Sequence, residues 1–244
     1  MSDNNIGRII APYLERIQIS LTDDHIDRLN ALASAMLADP LYKSVSKILD
    51  LEEMALKHFL DSIAPMTFHL PVWKSRTIVD LGTGGGFPCL PLAVLLPESR
   101  FIAVDARQKS VEFVARMAEA VGLTNVSVKH SRIEDLGRDP LFREKADLVV
   151  CRALSSVRTL VEYAIPLVKT GGWTFFYKGP KLEEELSESV NAFLALEINE
   201  GDVEIYHLND SELPFERNFV AIKKSRPVSD RYPRKCGIPA SKPL

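Results

Sequence analysis

The sequence predicts an α/β fold in which a seven-stranded, mostly parallel sheet carries helices on both faces and follows a helical N-terminal segment. Three observations predict it. Apolar residues recur at helical spacing over residues 1–70, short apolar strands alternate with amphipathic helices from Thr77 onward, and only a short turn separates the last two strands. Such alternation is typical of a parallel sheet that is covered on both faces.

Helices are predicted for the N-terminal segment, residues 1–70. Apolar residues recur at three- and four-residue steps from Ile6 to Ile17. Thr22 is expected to cap a second helix that Pro40 ends, because a threonine side chain accepts a hydrogen bond from a first-turn amide. A third helix is predicted over 51–63, and the proline-bearing stretch APMTFHLPVW is expected to be a linker.

The second region, residues 71–225, is predicted to hold the sheet. Helices are expected from about residue 86 and over 108–121, 156–168 and 181–196. The predicted strands read TIVDLG, RFIAVDA, NVSVKH, ADLVVC, WTFFYK, DVEIYHL and RNFVAIKK. The last two are expected to pair antiparallel, so the sheet should end in a hairpin.

Length and composition indicate an ordinary globular protein. The chain has 244 residues, of which 46% are apolar and 26% charged, and this suits one or two domains. Cys89, Cys151 and Cys236 are isolated, which argues against a disulfide framework and against a zinc site. No secretory signal and no apolar stretch of about 20 residues is evident, so we expect a cytoplasmic protein with no membrane partner.

The charge is concentrated at the C-terminus. Residues 223–244 contain seven Lys or Arg residues and one acid, whereas the rest of the chain has a net charge of -9. A basic tail, residues 226–244, on an acidic body suggests a polyanionic partner, and a solubilising terminus is the alternative. Four prolines make this tail a poor candidate for core structure. Arg231, Arg234 and Lys235 are the candidate contacts to such a partner, and if the partner is RNA, Tyr232 could stack on a base.

A glycine-rich loop follows the first predicted strand, in TIVDLGTGGGFPCLPLAV. The dinucleotide pattern G-x-G-x-x-G fails, because Phe87 stands where its third glycine belongs. The pattern D-x-G-x-G-x-G is matched by Asp80, Gly82, Gly84 and Gly86. It is typical of the S-adenosylmethionine loop of Rossmann-like methyltransferases, in which the methionine part of the ligand packs against bare backbone.

Later strand ends supply further candidates for the same site. Asp105 ends the second strand, 19 residues after Gly86, where an acid accepts both hydroxyls of a bound ribose. Ile133 and Glu134 follow the third strand, where an apolar wall and a polar edge partner suit a purine. An exposed loop acid is the alternative reading of Glu134.

The predicted fourth strand ends at Cys151 and Arg152, where the methyl acceptor is expected. Cys151 has no preceding proline and is interpreted as a buried strand residue. Arg152 could hold a carboxylate, a phosphate or a base edge. Lys178 ends the next strand and is either a second contact to the methyl acceptor or a solvated lysine. His58, Asp61 and Ser62 lack the motifs of a hydrolase and are interpreted as packing or RNA-contact residues.

The motifs DLGTGGGFPCLPLAV, CRALSSV and FFYKG, with LKHFLDSI at 56–63, resemble those of the RsmG (GidB) family of bacterial 16S ribosomal RNA guanine-N7 methyltransferases. The resemblance spans about residues 45–225. It implies a Rossmann-like (class I) S-adenosylmethionine-dependent methyltransferase domain behind a helical N-terminal segment. Two positions depart from the family pattern, since SVSKIL replaces the usual Asn-Leu-Thr segment and Cys89 replaces a glycine. The implied cofactor contacts are Gly82, Phe87, Asp105, Ala106, Arg107, Ile133, Glu134 and Arg152.

The implied substrate is a guanine in 16S ribosomal RNA, either as RNA or within a small-subunit ribonucleoprotein. Guanine N7 has a lone pair and no proton, so the reaction needs no base before attack and depends on positioning, with Arg152 and Lys178 as candidates. Two alternatives stay open, a small-molecule methyltransferase and a non-catalytic RNA- or nucleotide-binding module. Nothing in the sequence indicates an oligomer, and a monomer is expected.

Overall fold

The structure, a computed structural model, describes residues 5–209, 211 and 213–244. The strands within these residues are β1 Thr77–Leu81, β2 Arg100–Asp105, β3 Val126–His130, β4 Ala146–Arg152, β5 Val168–Lys178, β6 Val203–Leu208 and β7 Arg217–Lys223. The α-helices are α1 Ile6–Arg16, α2 Asp23–Ala38, α3 Tyr42–Val45, α4 Leu51–Met54, α5 Asp61–Ile63, α6 Cys89–Leu95, α7 Gln108–Ala120, α8 Ile133–Leu136, α9 Val157–Ala164, α10 Leu182–Ser187, α11 Val190–Ala195 and α12 Ile238–Ser241. A π-helical turn, Ala55–Leu60, joins α4 to α5.

The seven strands form one sheet in the order β3-β2-β1-β4-β5-β7-β6. The five strands from β3 to β5 run parallel, and β7 is antiparallel to both β5 and β6. This confirms the predicted fold class and its terminal hairpin. The strand order reverses between β1 and β4, and ligands of open α/β sheets bind beyond the carboxyl ends of the strands at such a point.

Alternate residues of each strand face opposite sides of the sheet. Ile78 and Phe101 belong to a core cluster shared with α1, α2, α6 and α7, whereas Val79 and Ile102 belong to a second cluster shared with α9 and α11. The N-terminal helices therefore pack directly on one face of the sheet. Thr22 caps α2 as predicted, because its hydroxyl accepts a hydrogen bond from the His25 backbone amide.

Two local predictions are wrong. The expected linker forms 3₁₀ turns at Ala64–Phe68 and Pro71–Lys74, because Trp73 is buried, packs on Phe175 and donates its indole hydrogen to the Pro65 carbonyl. The helix expected over 181–196 is broken between α10 and α11. There the Ser189 hydroxyl donates to the Glu185 carbonyl at 2.6 Å, a side-chain bond of the kind that competes with helical hydrogen bonding.

The prolines and charges of the C-terminal tail indicated a segment outside the core, but the tail packs into the core. Val228 and Tyr232 are buried in the cluster on the α9 face of the sheet. The Arg143 guanidinium fixes this path by donating to the carbonyls of Val228 and Tyr232 at 3.2 and 2.7 Å. Tyr232 is therefore not free to stack on a base. Among the residues that the structure describes, no helix is both long and apolar enough to cross a bilayer.

Candidate active site

The loop after β1 requires glycine at two positions, where the backbone has a positive φ and a neighbouring side chain leaves no room for a Cβ atom. Gly82 has φ of +69°, and a Cβ atom there would lie 2.8 Å from the Leu154 side chain. Gly86 has φ of +88°, and its Cβ would collide with the Leu90 side chain. Because glycine adopts positive φ without steric cost, the chain can turn sharply here and leave its backbone open at the carboxyl edge of the sheet.

Asp105 ties this loop to the end of β2. Its carboxylate is buried and accepts hydrogen bonds from the backbone amides of Gly84 at 2.9 Å and Arg107 at 2.8 Å. The Arg107 guanidinium lies 3.5 Å from the same carboxylate. A carboxylate has about four acceptor sites, so Asp105 keeps capacity for donors from a ligand.

A cavity of about 390 Å³ opens beside Asp105, within the usual range for small-ligand sites. It brings together six of the ten predicted cofactor residues, which are Gly82, Asp105, Ala106, Arg107, Ile133 and Glu134. Gly84 and Gly86 shape the loop behind it. Phe87 and Arg152 do not line it, and instead pack against each other next to a neighbouring cavity.

Glu134 is buried, so its interpretation as an exposed loop acid is wrong. Its Oε1 accepts hydrogen bonds from the Gly237 amide at 2.8 Å and from the Tyr163 hydroxyl at 3.5 Å. Burial and the adjacent Glu134 raise the pKa of Tyr163 to about 12, which keeps its hydroxyl protonated. The cavity thus offers carboxylates for hydroxyl and amino donors, with Ile133 as an apolar surface. This lining suits adenosine.

Asp80, the acid of the glycine motif, lies beneath the loop and is fully buried. Its two carboxylate oxygens and the Thr83 hydroxyl have no hydrogen-bond partner of good geometry among the described residues. Burial raises the pKa of Asp80 to about 7, although Thr83 and Arg152 partly oppose that effect. Buried polar atoms without partners are uncommon, and they place unused hydrogen-bonding capacity directly under the predicted cofactor loop.

A second cavity, of about 330 Å³, shares Ala153 with the first. Its lining includes the Asp61 carboxylate, which is almost completely buried and pairs with Arg152 at 2.8 Å and Arg217 at 2.6 Å. Arg152 also donates to the Lys57 carbonyl at 2.9 Å. Two guanidinium groups face one carboxylate, so this cavity has surplus positive charge beside the first one.

His58 completes one side of the second cavity. Its ring stacks on Phe87 with a centroid distance of 4.3 Å, and its Nδ1 lies 3.2 Å from the Arg152 guanidinium. The same Nδ1 also lies 3.2 Å from the Lys57 carbonyl, which can only accept, and Nε2 lies 3.0 Å from the Ser46 hydroxyl. Burial, followed by the charge of Arg152, lowers the pKa of His58 to about 4, so the imidazole is neutral near pH 7.

Lys178 lines the second cavity but is not a solvated lysine. Its ammonium group is buried, lies 2.6 Å from the Glu185 carboxylate and donates to the Ser155 carbonyl at 2.9 Å. Glu185 also accepts from the Val157 amide at the start of α9. Lys178 therefore holds the loop between β4 and α9 in addition to facing the cavity.

Cys151 is a buried strand residue, as predicted. Its thiol is fully buried and lies 3.4 Å from the Leu81 carbonyl. Burial and the nearby Asp80 raise the pKa of this thiol well above its usual value. Because the thiolate is the nucleophilic form of cysteine, Cys151 is unsuited to covalent catalysis.

The three candidate RNA contacts of the tail differ in environment. Arg231 and Lys235 are exposed, and Arg231 stacks over Tyr232. Arg234 instead pairs with Glu162, whose carboxylate is completely buried. The expectation that Arg234 is free for a phosphate is therefore wrong, because its guanidinium is already committed to a buried acid.

Six residues around the first cavity were not predicted, namely Arg132, Ala153, Leu154, Tyr163, Gly237 and Ala240. Arg132 and Ala153 adjoin predicted site residues and Leu154 follows Ala153, so the edges of those motifs could have indicated all three. Tyr163, Gly237 and Ala240 carry no local signal, since they reach the cavity only through the packing of α9 and the tail. Arg217 in the second cavity was missed for a similar reason, because it begins an antiparallel strand.

Comparison with known proteins agrees with this geometry. A family described as GidB, rRNA small subunit methyltransferase G, matches residues 41–214. A protein of Desulfitobacterium hafniense (strain Y51) named Ribosomal RNA small subunit methyltransferase G is 35% identical over 231 residues, which cover 94% of each chain. A protein of the same name from Clostridium kluyveri is 39% identical and covers 82% of this chain and 83% of its own.

Solved structures with lower identity share the fold. An S-adenosylmethionine-dependent O-methyltransferase from Thermotoga maritima is 15% identical, with a TM-score of 0.53, and the match covers 80% of this chain and 73% of that one. An S-adenosylmethionine-dependent methyltransferase from Aquifex aeolicus is 18% identical, with a TM-score of 0.50, and covers 75% of this chain and 95% of its own. These likenesses support the Rossmann-like class I architecture.

Proposed function

Because the chain belongs to the GidB family of rRNA small subunit methyltransferases, we propose that it transfers a methyl group from S-adenosylmethionine to N7 of a guanine in 16S ribosomal RNA. The observation that carries this proposal is the pair of cavities that meet at Ala153. One has the lining of an adenosine site, and the other presents arginines at the carboxyl edge of the sheet. The methyl donor in one cavity and the methyl acceptor in the other can therefore meet beside Ala153.

The first cavity holds the cofactor in this proposal. Asp105 accepts the ribose hydroxyls, Ile133 and Glu134 receive the adenine, and the glycine loop leaves its backbone open to the methionine part. Bound there, S-adenosylmethionine supplies a methyl group on a sulfonium centre.

The second cavity receives the guanine. Arg152 and Arg217 supply positive charge, and an arginine bound to guanine O6 leaves the N7 lone pair free to attack the methyl carbon. No proton has to leave N7 first. His58 is neutral with a pKa of about 4, and burial raises the pKa of Tyr177 far above its usual value, so neither side chain is poised as an acid or base near pH 7. Catalysis then rests on positioning.

The RNA partner extends beyond this pocket. Arg231 and Lys235 are exposed on the tail and are the proposed phosphate contacts there, whereas Arg234 is not. We place the reaction in the cytoplasm, on small-subunit RNA or its ribonucleoprotein, with the enzyme acting as a monomer.

The test is a map of 7-methylguanine in small-subunit RNA made with and without this protein. Purified protein should label naked 16S RNA or small subunits from S-adenosylmethionine, and should label neither large-subunit RNA nor a metabolite extract. Asp105→Ala serves as the matched variant with an impaired cofactor site. Labelling of the metabolite extract alone, or of a nucleotide atom other than guanine N7, would contradict the proposal.

A further inference from the structure

The C-terminal tail reaches the first cavity from the opposite end of the chain. Gly237 and Ala240 line that cavity together with Asp105, Ile133 and Glu134. Among the described residues that follow α9, those that line the cavity belong to this tail. Its sequence is basic and proline-rich, which is typical of a solvated terminus, so its position beside the predicted adenosine site calls for a physical cause.

A buried ion pair anchors the tail at Arg234. Glu162 of α9 is completely buried, and it accepts from the Arg234 backbone amide at 2.8 Å, from Nε at 2.9 Å and from Nη2 at 2.7 Å. Such multiple, charge-assisted contacts fix orientation as well as distance. The same guanidinium donates to the Lys242 carbonyl at 2.8 Å, which holds residues 234–242 in a closed turn.

This turn points one backbone group at the proposed adenine partner. Gly237 has φ of +81°, and its amide donates to Glu134 Oε1 at 2.8 Å. The Pro239 carbonyl lies 3.5 Å from the Thr159 hydroxyl of α9, so the short helix α12 is also tied to that face. The Glu134 carboxylate is thereby held between the tail and Tyr163.

We propose that residues 234–240 are part of the cofactor site, where they cover the adenosine end of the cavity and orient Glu134 toward the adenine. This rests on the proposed function only in taking S-adenosylmethionine as the ligand of that cavity. The tail then serves the cofactor through Arg234, Gly237 and Ala240, while Arg231 and Lys235 stay exposed for RNA.

Calorimetry with S-adenosylhomocysteine tests the proposal without RNA or turnover. Arg234→Ala removes the anchor and should raise the Kd at least about tenfold. Arg226→Ala is the matched control, since Arg226 is an exposed arginine of the same tail and its loss changes the charge equally. Its Kd should stay within about twofold of the unmodified protein.

Arg234→Ala leaves the buried Glu162 carboxylate without its partner, so a second pair of variants tests the cavity wall with that ion pair intact. Ala240 and Ser241 are both exposed neighbours in α12, and only Ala240 lines the cavity. Ala240→Trp should fill space that the adenine needs and weaken binding about fivefold or more, whereas Ser241→Trp should bind nearly normally. Both pairs are checked for folding by circular dichroism.

The possible results distinguish a failure of this inference from a failure of the proposed function. If a folded Arg234→Ala variant and Ala240→Trp bind S-adenosylhomocysteine as tightly as their controls, the tail is not part of the site and this inference is wrong. If the unmodified protein itself does not bind S-adenosylhomocysteine, the proposed function fails instead.

Discussion

Replacing Asp61 with alanine should destabilise the protein strongly, because this one carboxylate neutralises two arginines. Its side chain is 1% exposed, while Arg152 and Arg217 are 14% and 29% exposed. Removing one partner of a buried ion pair typically costs 3–5 kcal/mol. Both arginines keep some contact with water, so we expect a loss of about 3 kcal/mol in the free energy of unfolding, the lower end of that range.

For a chain of this length, such a loss corresponds to a fall of about 6–12 °C in Tm. Urea denaturation followed by circular dichroism measures the free energy, and the m-value should be unchanged if only the native state is affected. Asp61→Asn keeps the shape and one acceptor oxygen, so it should fall between alanine and the unmodified protein.

Glu53→Ala is the matched control for this prediction. Glu53 pairs with Lys57 in the same helical stretch, but these side chains are 40% and 61% exposed. Exposed pairs four residues apart contribute only about 0.3–0.5 kcal/mol. If Asp61→Ala costs no more than Glu53→Ala, the Asp61 cluster is not a stabilising feature and the reasoning from burial is refuted.

Three further predictions concern single side chains of the site. Asp105→Ala should weaken S-adenosylmethionine binding by about 1.5–3 kcal/mol, the scale of a charge-assisted hydrogen bond, and unchanged calorimetric affinity in a folded variant would remove Asp105 from the site. Cys151→Ser should keep most of its methyl-transfer activity, because no covalent adduct forms; a loss beyond about a thousandfold without unfolding, or a trapped protein–RNA adduct, would contradict this. Asp80→Asn should flatten the pH dependence of stability. The pKa of Asp80 is raised from 3.8 to about 7, so between these values the native state binds more protons than the unfolded state and stability falls as pH rises. From pH 5 to pH 8 the free energy of unfolding of the variant, measured by urea denaturation, should therefore rise by about 2–3 kcal/mol relative to that of the unmodified protein. If the difference between the two proteins is the same at both pH values, the raised pKa is refuted.

The sheet and the glycine loop are predictable because their signals are local. Alternating apolar runs define the strands, and the spacing from Gly82 to Gly86 together with Asp105 defines the loop and the strand end that it faces. These residues lie close in space because parallel strands bring their carboxyl ends to one edge. The positions of their side chains could be predicted without information about packing between distant parts of the chain.

The tail and the strand-end lysine are not predictable in this way. Arg234 and Glu162 are 72 positions apart, and Lys178 and Glu185 belong to different elements, so neither pair leaves a periodic pattern. A basic residue in a proline-rich stretch looks solvated until its buried partner is known. Arg217 is a similar case, because an antiparallel strand delivers its first residue, not its last, to the carboxyl edge.

The wall that the tail contributes to the first cavity also has a consequence for biosynthesis. Gly82 is synthesised early, whereas Gly237 and Ala240, which line the same cavity, are added more than 150 residues later. With residues 83–240 still to be added at about 5–20 residues per second, the cavity stays open on that side for roughly 10–30 s after its first glycine is made. A chain that ends before Arg234 contains every strand of the sheet but not every residue that lines the cavity. Binding of the cofactor at full strength would then report that synthesis had passed this point.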